Sequence, residues 1–431
     1  MLIKNLNAAG KTWRPLSRKY TGLKGWTMSD AGKMFLNIPR SRLMVYLLIL
    51  SLAGFVTSFG AHIIAVNLPS YAKMAGTGFF GIGVLIAIYD LAEVIAKPVF
   101  GFVADKKGMK VTMIAGLLVF SLSSLLYIVL DPALLILVRL LQGIGAAAFS
   151  VASMALVAEY FKNDLEGPMG IYNAIKGLGY VISPVVGGAI VLYSDFSYLF
   201  VACFFVGIAV MFVGLFIKRD SGNKKFDDDD DDDIMRFIGS FKDSRFLPWY
   251  LVTMVNMMLM AILFGFLPVY LNVSGFDPLM AGSVMAAVAL AFLTIQPLSG
   301  VISKRLGFSR TILAGLAAEA LFLMIIPFTS GWLTVIVSIL DAAAIGVIWT
   351  LGAVAVAKAA YEGEMGLAMG NLGSYKEIGD MAGPLAIGLI SQFISLTAGF
   401  VLCGMLGLAV LAPLILGSLR SRTISITKIA R

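Results

Sequence analysis

The sequence predicts an all-α membrane protein, with twelve transmembrane helices arranged as two pseudo-symmetric six-helix bundles. Three observations carry that expectation. The chain of 431 residues is 59% hydrophobic and 13% charged, with a mean hydropathy of +0.92, whereas soluble proteins hold about 25% charged residues. Its apolar residues fall into runs of the ~20 residues that cross a hydrocarbon core of about 30 Å. The second half repeats small and charged residues of the first at a spacing near 200.

Read between charged or Gly/Pro breaks, the runs are 43–70, 79–103, 109–130, 132–160, 168–193 and 196–217. A second set follows at 247–272, 279–303, 309–329, 331–358, 366–395 and 397–418. They divide the chain into a basic N-terminal tail (1–42), a first bundle (43–217), a linker (218–246), a second bundle (247–418) and a C-terminal tail (419–431). The first run lacks a small-residue cleavage site and follows a long polar, basic stretch. It is therefore expected to stay as a span and not to be removed as a signal peptide.

Lys and Arg set the orientation. The tail to Arg42 holds nine of them, and Lys106, Lys107, Lys110, Lys162, Lys304, Arg305, Arg310 and Lys358 follow even-numbered spans. A further cluster runs from Lys218 to Arg245, and the last tail adds Arg420, Arg422, Lys428 and Arg431. The other side shows Lys73. This asymmetry predicts both termini in the cytoplasm, in a bacterial-type plasma membrane. The net charge of +8 becomes +15 once the run of seven acids Asp227 to Asp233 is set aside. That run repels itself and reads as a solvated linker. The basic excess is thus a topology signal, and no nucleic-acid partner is expected. Cys203 and Cys403 lie inside apolar runs, which argues against a disulfide scaffold or zinc site. His62 is the lone histidine, so histidine-rich metal clusters and most Ser-His or Cys-His triads are not expected, and neither is an enzyme.

The repeat is specific. Met169, Gly170, Lys176, Gly179, Pro184 and Gly188 recur as Met369, Gly370, Lys376, Gly379, Pro384 and Gly388. Gly101 and Gly108 recur as Gly300 and Gly307. Parallel repeats about an axis along the membrane normal belong to transporter architectures, with the substrate site at the repeat interface.

After the second span comes Gly101-x3-Asp105-Lys106-x-Gly108-x-Lys110. Its glycines permit a tight turn, and its acid can sit at a helix N-terminus or beside a cation. It resembles the signature loop of the major facilitator superfamily, and the resemblance implies that Asp105 latches the two halves on the cytoplasmic side. In the second copy Lys304 stands where the acid should be. The fourth span carries Arg139-x2-Gln142-Gly143-x-Gly145, similar to a signature of proton-coupled exporters in that family. The resemblance implies a part in proton coupling for Arg139, while pairing with backbone carbonyls is the structural alternative. The fifth span, Ala174-x8-Ser183-Pro184-x2-Gly187-Gly188, resembles the antiporter signature, with Ala174 and Ser183 standing for two glycines. Together these motifs are closest to the twelve-span drug/proton antiporter branch.

Ionisable groups at bilayer depth are costly and so are functional candidates. Asp90, Glu93 and Lys97 share one face of the second span by their spacing, as do Lys376, Glu377 and Asp380 on the eleventh. The fold implied by the resemblance packs these two spans across the interface between halves. A desolvated, incompletely paired carboxylate there can carry a proton. Asp90, Glu93, Asp341, Asp380 and Arg139 are the candidates for proton coupling. Lys97, Lys376 and Glu377 are their charge partners, and a salt-bridge network clamping the halves is the alternative. His62, Asn67, Gln142, Lys176, Asn256, Asp341 and Trp349 are candidates for a substrate cavity, each of them equally readable as packing. Glu319 has no assigned role. The expected activity is proton-driven export of small amphipathic or drug-like compounds by a monomer that uses the proton gradient and no cofactor or metal. The alternatives are transport of a specific metabolite (a sugar, organic anion or lipid-linked solute), with Lys176, Lys376 and Arg139 favouring an anion, or a membrane sensor that moves nothing.

Overall fold

The computed structural model describes residues 40–74, 76–131, 134–161, 166–218, 243, 245–360 and 365–411. The Asp227–Asp233 run, most of the linker and both tails lie outside the described residues. Among the described residues twelve α-helices are seen: α1 (Arg40–Met74), α2 (Phe79–Lys107), α3 (Met109–Val129), α4 (Leu135–Tyr160), α5 (Glu166–Tyr193) and α6 (Phe196–Gly214) in the first half. The second half holds α7 (Leu247–Val273), α8 (Pro278–Leu306), α9 (Phe308–Ile325), α10 (Trp332–Ala359), α11 (Met365–Phe393) and α12 (Leu396–Leu411). Among the described residues there is no strand.

Ten of these helices are long and apolar enough to cross a membrane. α11 is the polar exception, because it carries Lys376, Glu377 and Asp380. α9 stops short of its apolar run because Pro327 turns its end into a 3-10 helix, Ile326–Phe328. α6 likewise ends before its run, and Lys110 explains the place. Its Nζ donates to the carbonyls of Leu215 and Ile217 at 2.7 and 2.5 Å, a cation at a helix C-terminus. At the start of α7, Asp243 accepts from the backbone and guanidinium of Arg245, which holds its carboxyl below the usual carboxylate range.

The turn inside the signature loop demands glycine. Gly108 has φ 103° and its repeat mate Gly307 has φ 91°, both with ψ 137°. Side chains disfavour such sparsely populated positive-φ conformations by about 1–3 kcal/mol. Gly108→Ala and Gly307→Ala are each expected to lower the apparent Tm by a shift corresponding to about that cost, read by thermal unfolding in detergent.

Internal prolines recur in helices that meet between halves: Pro98 in α2, Pro184 in α5, Pro268 in α7, Pro297 in α8 and Pro384 in α11. α2 packs on α11, α5 on α8, and α1 on α7. The ends of the molecule differ. At the end away from the chain termini, one apolar core joins residues of both halves, from Ile63, Ile82 and Phe200 to Leu267, Met285 and Phe400. At the basic end, where α1 begins and α12 ends, the cores separate. One is built around Leu47, Met113 and Leu156, and others around Tyr250 and Ile348.

Glycines repeat that asymmetry. A Cβ on Gly83 would run into the Pro384 carbonyl, and one on Gly282 into the Pro184 carbonyl, while Gly388 abuts Phe79 and Gly83, and Gly188 abuts Pro278. Backbone thus lies on backbone at the far end of both crossings. Near the basic end of the same four helices, Gly101, Gly170, Gly300 and Gly373 have nothing within 4 Å of a Cβ position. The halves are closed at the far end and open at the basic end.

Candidate functional site

At mid-depth the halves meet through charge. Lys97 Nζ on α2 lies 2.6 Å from Glu93 Oε2, one turn back, and 3.1 Å from Glu377 Oε1 on α11. Two carboxylates thus share one ammonium across the interface. Asp90 and Asp380 lie beside this triad, each within electrostatic reach of Glu93 and Glu377, and Asp90 is also within reach of Asp380. Neither aspartate forms a hydrogen bond or ion pair among the described residues.

Lys376 does not join that set, which departs from the shared face expected for it with Glu377 and Asp380. Successive residues of a helix point about 100° apart. Glu377 turns to α2, and Lys376 turns to α10, where its Nζ sits 3.8 Å from the centre of the Trp349 ring. Its repeat mate Lys176 on α5 is within electrostatic reach of Glu93, Lys97 and Glu377, yet pairs with none of them. Rings connect the two lysine positions. Trp349 meets Phe292 edge-on at 5.7 Å, Phe292 meets Phe264 at 6.1 Å, Phe264 meets His62 at 6.4 Å, and His62 lies 4.1 Å from Tyr180, one turn beyond Lys176. Offset or edge-on rings at such spacings attract one another. His62 is fixed in this row by its Nδ1, 2.9 Å from the Ser58 carbonyl oxygen.

Arg139 is buried within the first half. It is 2% exposed, lies 4.3 Å over the Tyr89 ring and donates from Nη1 to Gln142 Oε1 at 2.9 Å. Gln142 in turn accepts from Tyr127 and donates to Ser124. The cation is therefore stacked and hydrogen-bonded behind α2, with Asp90 in electrostatic range. Gln142, Asn67 and Asn256, three residues proposed for the cavity, are buried in helix packing. Asn67 donates to the Ile63 carbonyl of its own helix and abuts Gly187.

The second half holds a different cluster. Asn256 Nδ2 on α7 donates to Glu319 Oε2 on α9 at 2.6 Å and to the Ile345 carbonyl on α10 at 3.3 Å. Asp341, one turn before Ile345, is within electrostatic reach of Glu319. Sequence reasoning left Glu319 without a role. The signal for it was the one that singled out Asp341, an ionisable side chain inside an apolar helix.

The signature loop and the fifth helix complete the set. Lys106 lies 4.6 Å from the Phe102 ring, and a Cβ on Gly101 would meet nothing within 4 Å. Ser183 is buried, and its neighbour Pro184 presents the carbonyl that Gly282 approaches. The Asp105 side chain, expected to act as a latch, lies outside the described residues.

The family model of the Major Facilitator Superfamily matches residues 50–307 and 250–425. The chain belongs to the Major Facilitator Superfamily. Multidrug resistance protein 2 of Bacillus subtilis is 28% identical over 65% of this chain and 72% of its own length. The class C tetracycline resistance protein of Escherichia coli is 26% identical over 71% of this chain and 78% of its own. A bacterial homologue of the human lysosomal transporter Spinster, solved inward-facing and unoccupied, shares the fold with a TM-score of 0.72. It is 14% identical, over 88% of this chain and 96% of that one. The chain is therefore an integral, multi-pass transporter of this superfamily and not an enzyme.

Proposed function

We propose that this transporter is a proton-coupled secondary carrier that exports small amphipathic or drug-like compounds by alternating access of the mid-depth cavity. The observation that carries the reading is the unpaired Asp90 and Asp380 at the contact between halves, beside a triad in which Lys97 is already shared by Glu93 and Glu377. Protons on these aspartates remove like charge from the interface, so that closing and opening the halves depends on their occupancy. Lys97 and Glu377 hold the two sides in register. Asp341 sits apart from this set, within the second bundle. The antiporter-like α5 and the relatives named for multidrug and tetracycline resistance support the export direction. Both termini are assigned to the cytoplasm of a bacterial-type plasma membrane, with the two bundles at 43–217 and 247–418 working as a monomer. The open basic end then faces the cytoplasm.

The test is substrate-induced proton flux in proteoliposomes under an imposed pH gradient, over a panel of amphipathic compounds. Flux that depends on both the compound and the gradient is expected. Transport that ignores the gradient, and persists unchanged in Asp90→Asn and Glu93→Gln, would overturn the reading.

A second reading rests on Lys176 and Lys376, two repeat-related ammonium groups without carboxylate partners at either end of the aromatic row. They suit an organic anion with a flat apolar body. Competition by aromatic carboxylates, compared with amines of the same skeleton, separates the two readings.

A further inference from the structure

The cluster on α7, α9 and α10 is short of positive charge. Glu319 and Asp341 are 0% and 1% exposed, as deep as any apolar residue of the core. Between them they have one hydrogen bond, from Asn256 Nδ2 to Glu319 Oε2. Glu319 Oε1 and both carboxyl oxygens of Asp341 have no partner. Asn256 is also fully buried, and its Oδ1 is orphaned although its amide nitrogen is used twice. No lysine, arginine or histidine among the described residues pairs with either acid.

Buried polar atoms of folded proteins are almost always satisfied, and a buried ion without a partner is among the costliest arrangements a fold can hold. Four orphaned oxygens on three helices are therefore an incomplete site. The repeat sharpens the contrast. Asp341 corresponds to Gln142, and the same layer of the first half contains Arg139, its charge met by Gln142 and the Tyr89 ring. One half thus keeps a cation stacked and hydrogen-bonded with only its Nε left over, where the other keeps two acids with three orphaned oxygens.

We infer that Glu319 and Asp341, oriented by Asn256, form a second proton-binding site inside the C-terminal bundle, occluded while the far end is closed. Protons fit where larger cations do not. Among the described residues no group of three or more Asp, Glu, His or Cys side chains stands ready to hold a metal ion. A proton on Asp341 needs no ligand shell, and a neutral carboxyl can remain buried. α7 reaches α1 across the interface, whereas α9 and α10 pack on each other and on α7 and α8 within the second half. Movement of α10 against α9 would change access to Asp341 while Glu319 stays covered. Asp341 is the exchanging member and Glu319 the one that keeps it charge-sensitive. Asn256 is a positioning residue, because it fixes one Glu319 oxygen to the α10 backbone. The site's occupancy stands without the proton-coupled reading proposed above; its role in turnover rests on that reading.

The test uses the full-length protein. Infrared difference spectra on titration in detergent read the carbonyl stretch of protonated carboxyls directly. Wild type at neutral pH is expected to show that band, with intensity lost in Glu319→Gln and again in Asp341→Asn. In proteoliposomes the same variants are expected to carry fewer protons per substrate than wild type. Both substitutions keep shape and polarity. A band unchanged in both acid variants, or a wild-type site filled by added sodium or potassium at constant pH, would overturn the site. Loss of the band with an unchanged proton-to-substrate ratio would make it a static packing pair and overturn its part in transport. If the band is lost as expected but no compound drives proton flux in wild type, the site stands and the proton-coupled reading falls.

Discussion

Asp90→Asn is expected to cut substrate-driven proton flux at least about tenfold, the equivalent of about 1.4 kcal/mol in the coupling step, while leaving the compound bound. Asparagine keeps the volume and polarity of Asp90 but is permanently neutral, as the aspartate is only when it carries a proton. The like charge between Asp90 and Asp380 then no longer opposes closure of the halves. The Lys97 triad is left intact, because Asp90 makes no ion pair with it. Exchange of labelled for unlabelled compound, which needs no net proton movement, should persist in proteoliposomes. Asp380→Asn should behave alike, and the double variant should add little, because the two acids act on one contact. Wild-type flux in Asp90→Asn would remove this aspartate from the coupling machinery.

Gly282→Val should have the largest conformational effect of any single change. Its missing Cβ faces the Pro184 carbonyl, and the obstacle is backbone on a neighbouring helix, not a side chain that can swing away. Overpacking of this kind costs about 1–3 kcal/mol, enough to move a two-state equilibrium roughly five- to 150-fold. The substitution is expected to hold the far end apart and to stop transport. Maleimide labelling of Leu279→Cys, placed at the sister contact with Gly188, reports the opening. The natural Cys203 and Cys403 are buried and serve as a quiet background. Gly300→Val on the same helix should act in the opposite direction, since Gly300 now faces open space that closure of the basic end would fill. Labelling at Leu279→Cys that is no faster in Gly282→Val than in the parent would rule out this crossing as a gate.

Most of the fold was legible because bilayer-spanning helices are set by composition over whole segments. The α2, α5 and α10 boundaries agree with their apolar runs to within a few residues, and α9 departs only where Pro327 tightens its end. The repeat predicted the symmetric crossings, since glycine and proline spacings are backbone properties carried in the sequence. Side-chain destinations were less legible. Spacing placed Lys376, Glu377 and Asp380 on one broad face, but which neighbour each side chain meets depends on a third helix. Trp349 takes the lysine, and Lys97 takes the glutamate. Gln142 and Asn256 read as cavity residues because both are polar, yet each is absorbed by a buried partner, Arg139 in one case and Glu319 in the other. Such pairings join residues 3 and 63 positions apart. Only the nearer one could be anticipated from helical spacing.

The unequal ends of the molecule give the two gates different physical sensitivities. Opening the far end exposes a continuous apolar core to water, an event with a large heat-capacity change whose balance shifts with temperature. The basic end has separate cores, and the helix ends that border it carry Lys106, Lys107, Lys110, Lys304 and Arg305. Charges at that surface are screened over about 8 Å at physiological ionic strength. Cooling therefore acts on one gate and salt on the other, so that temperature and ionic strength become two independent handles on a single conformational cycle.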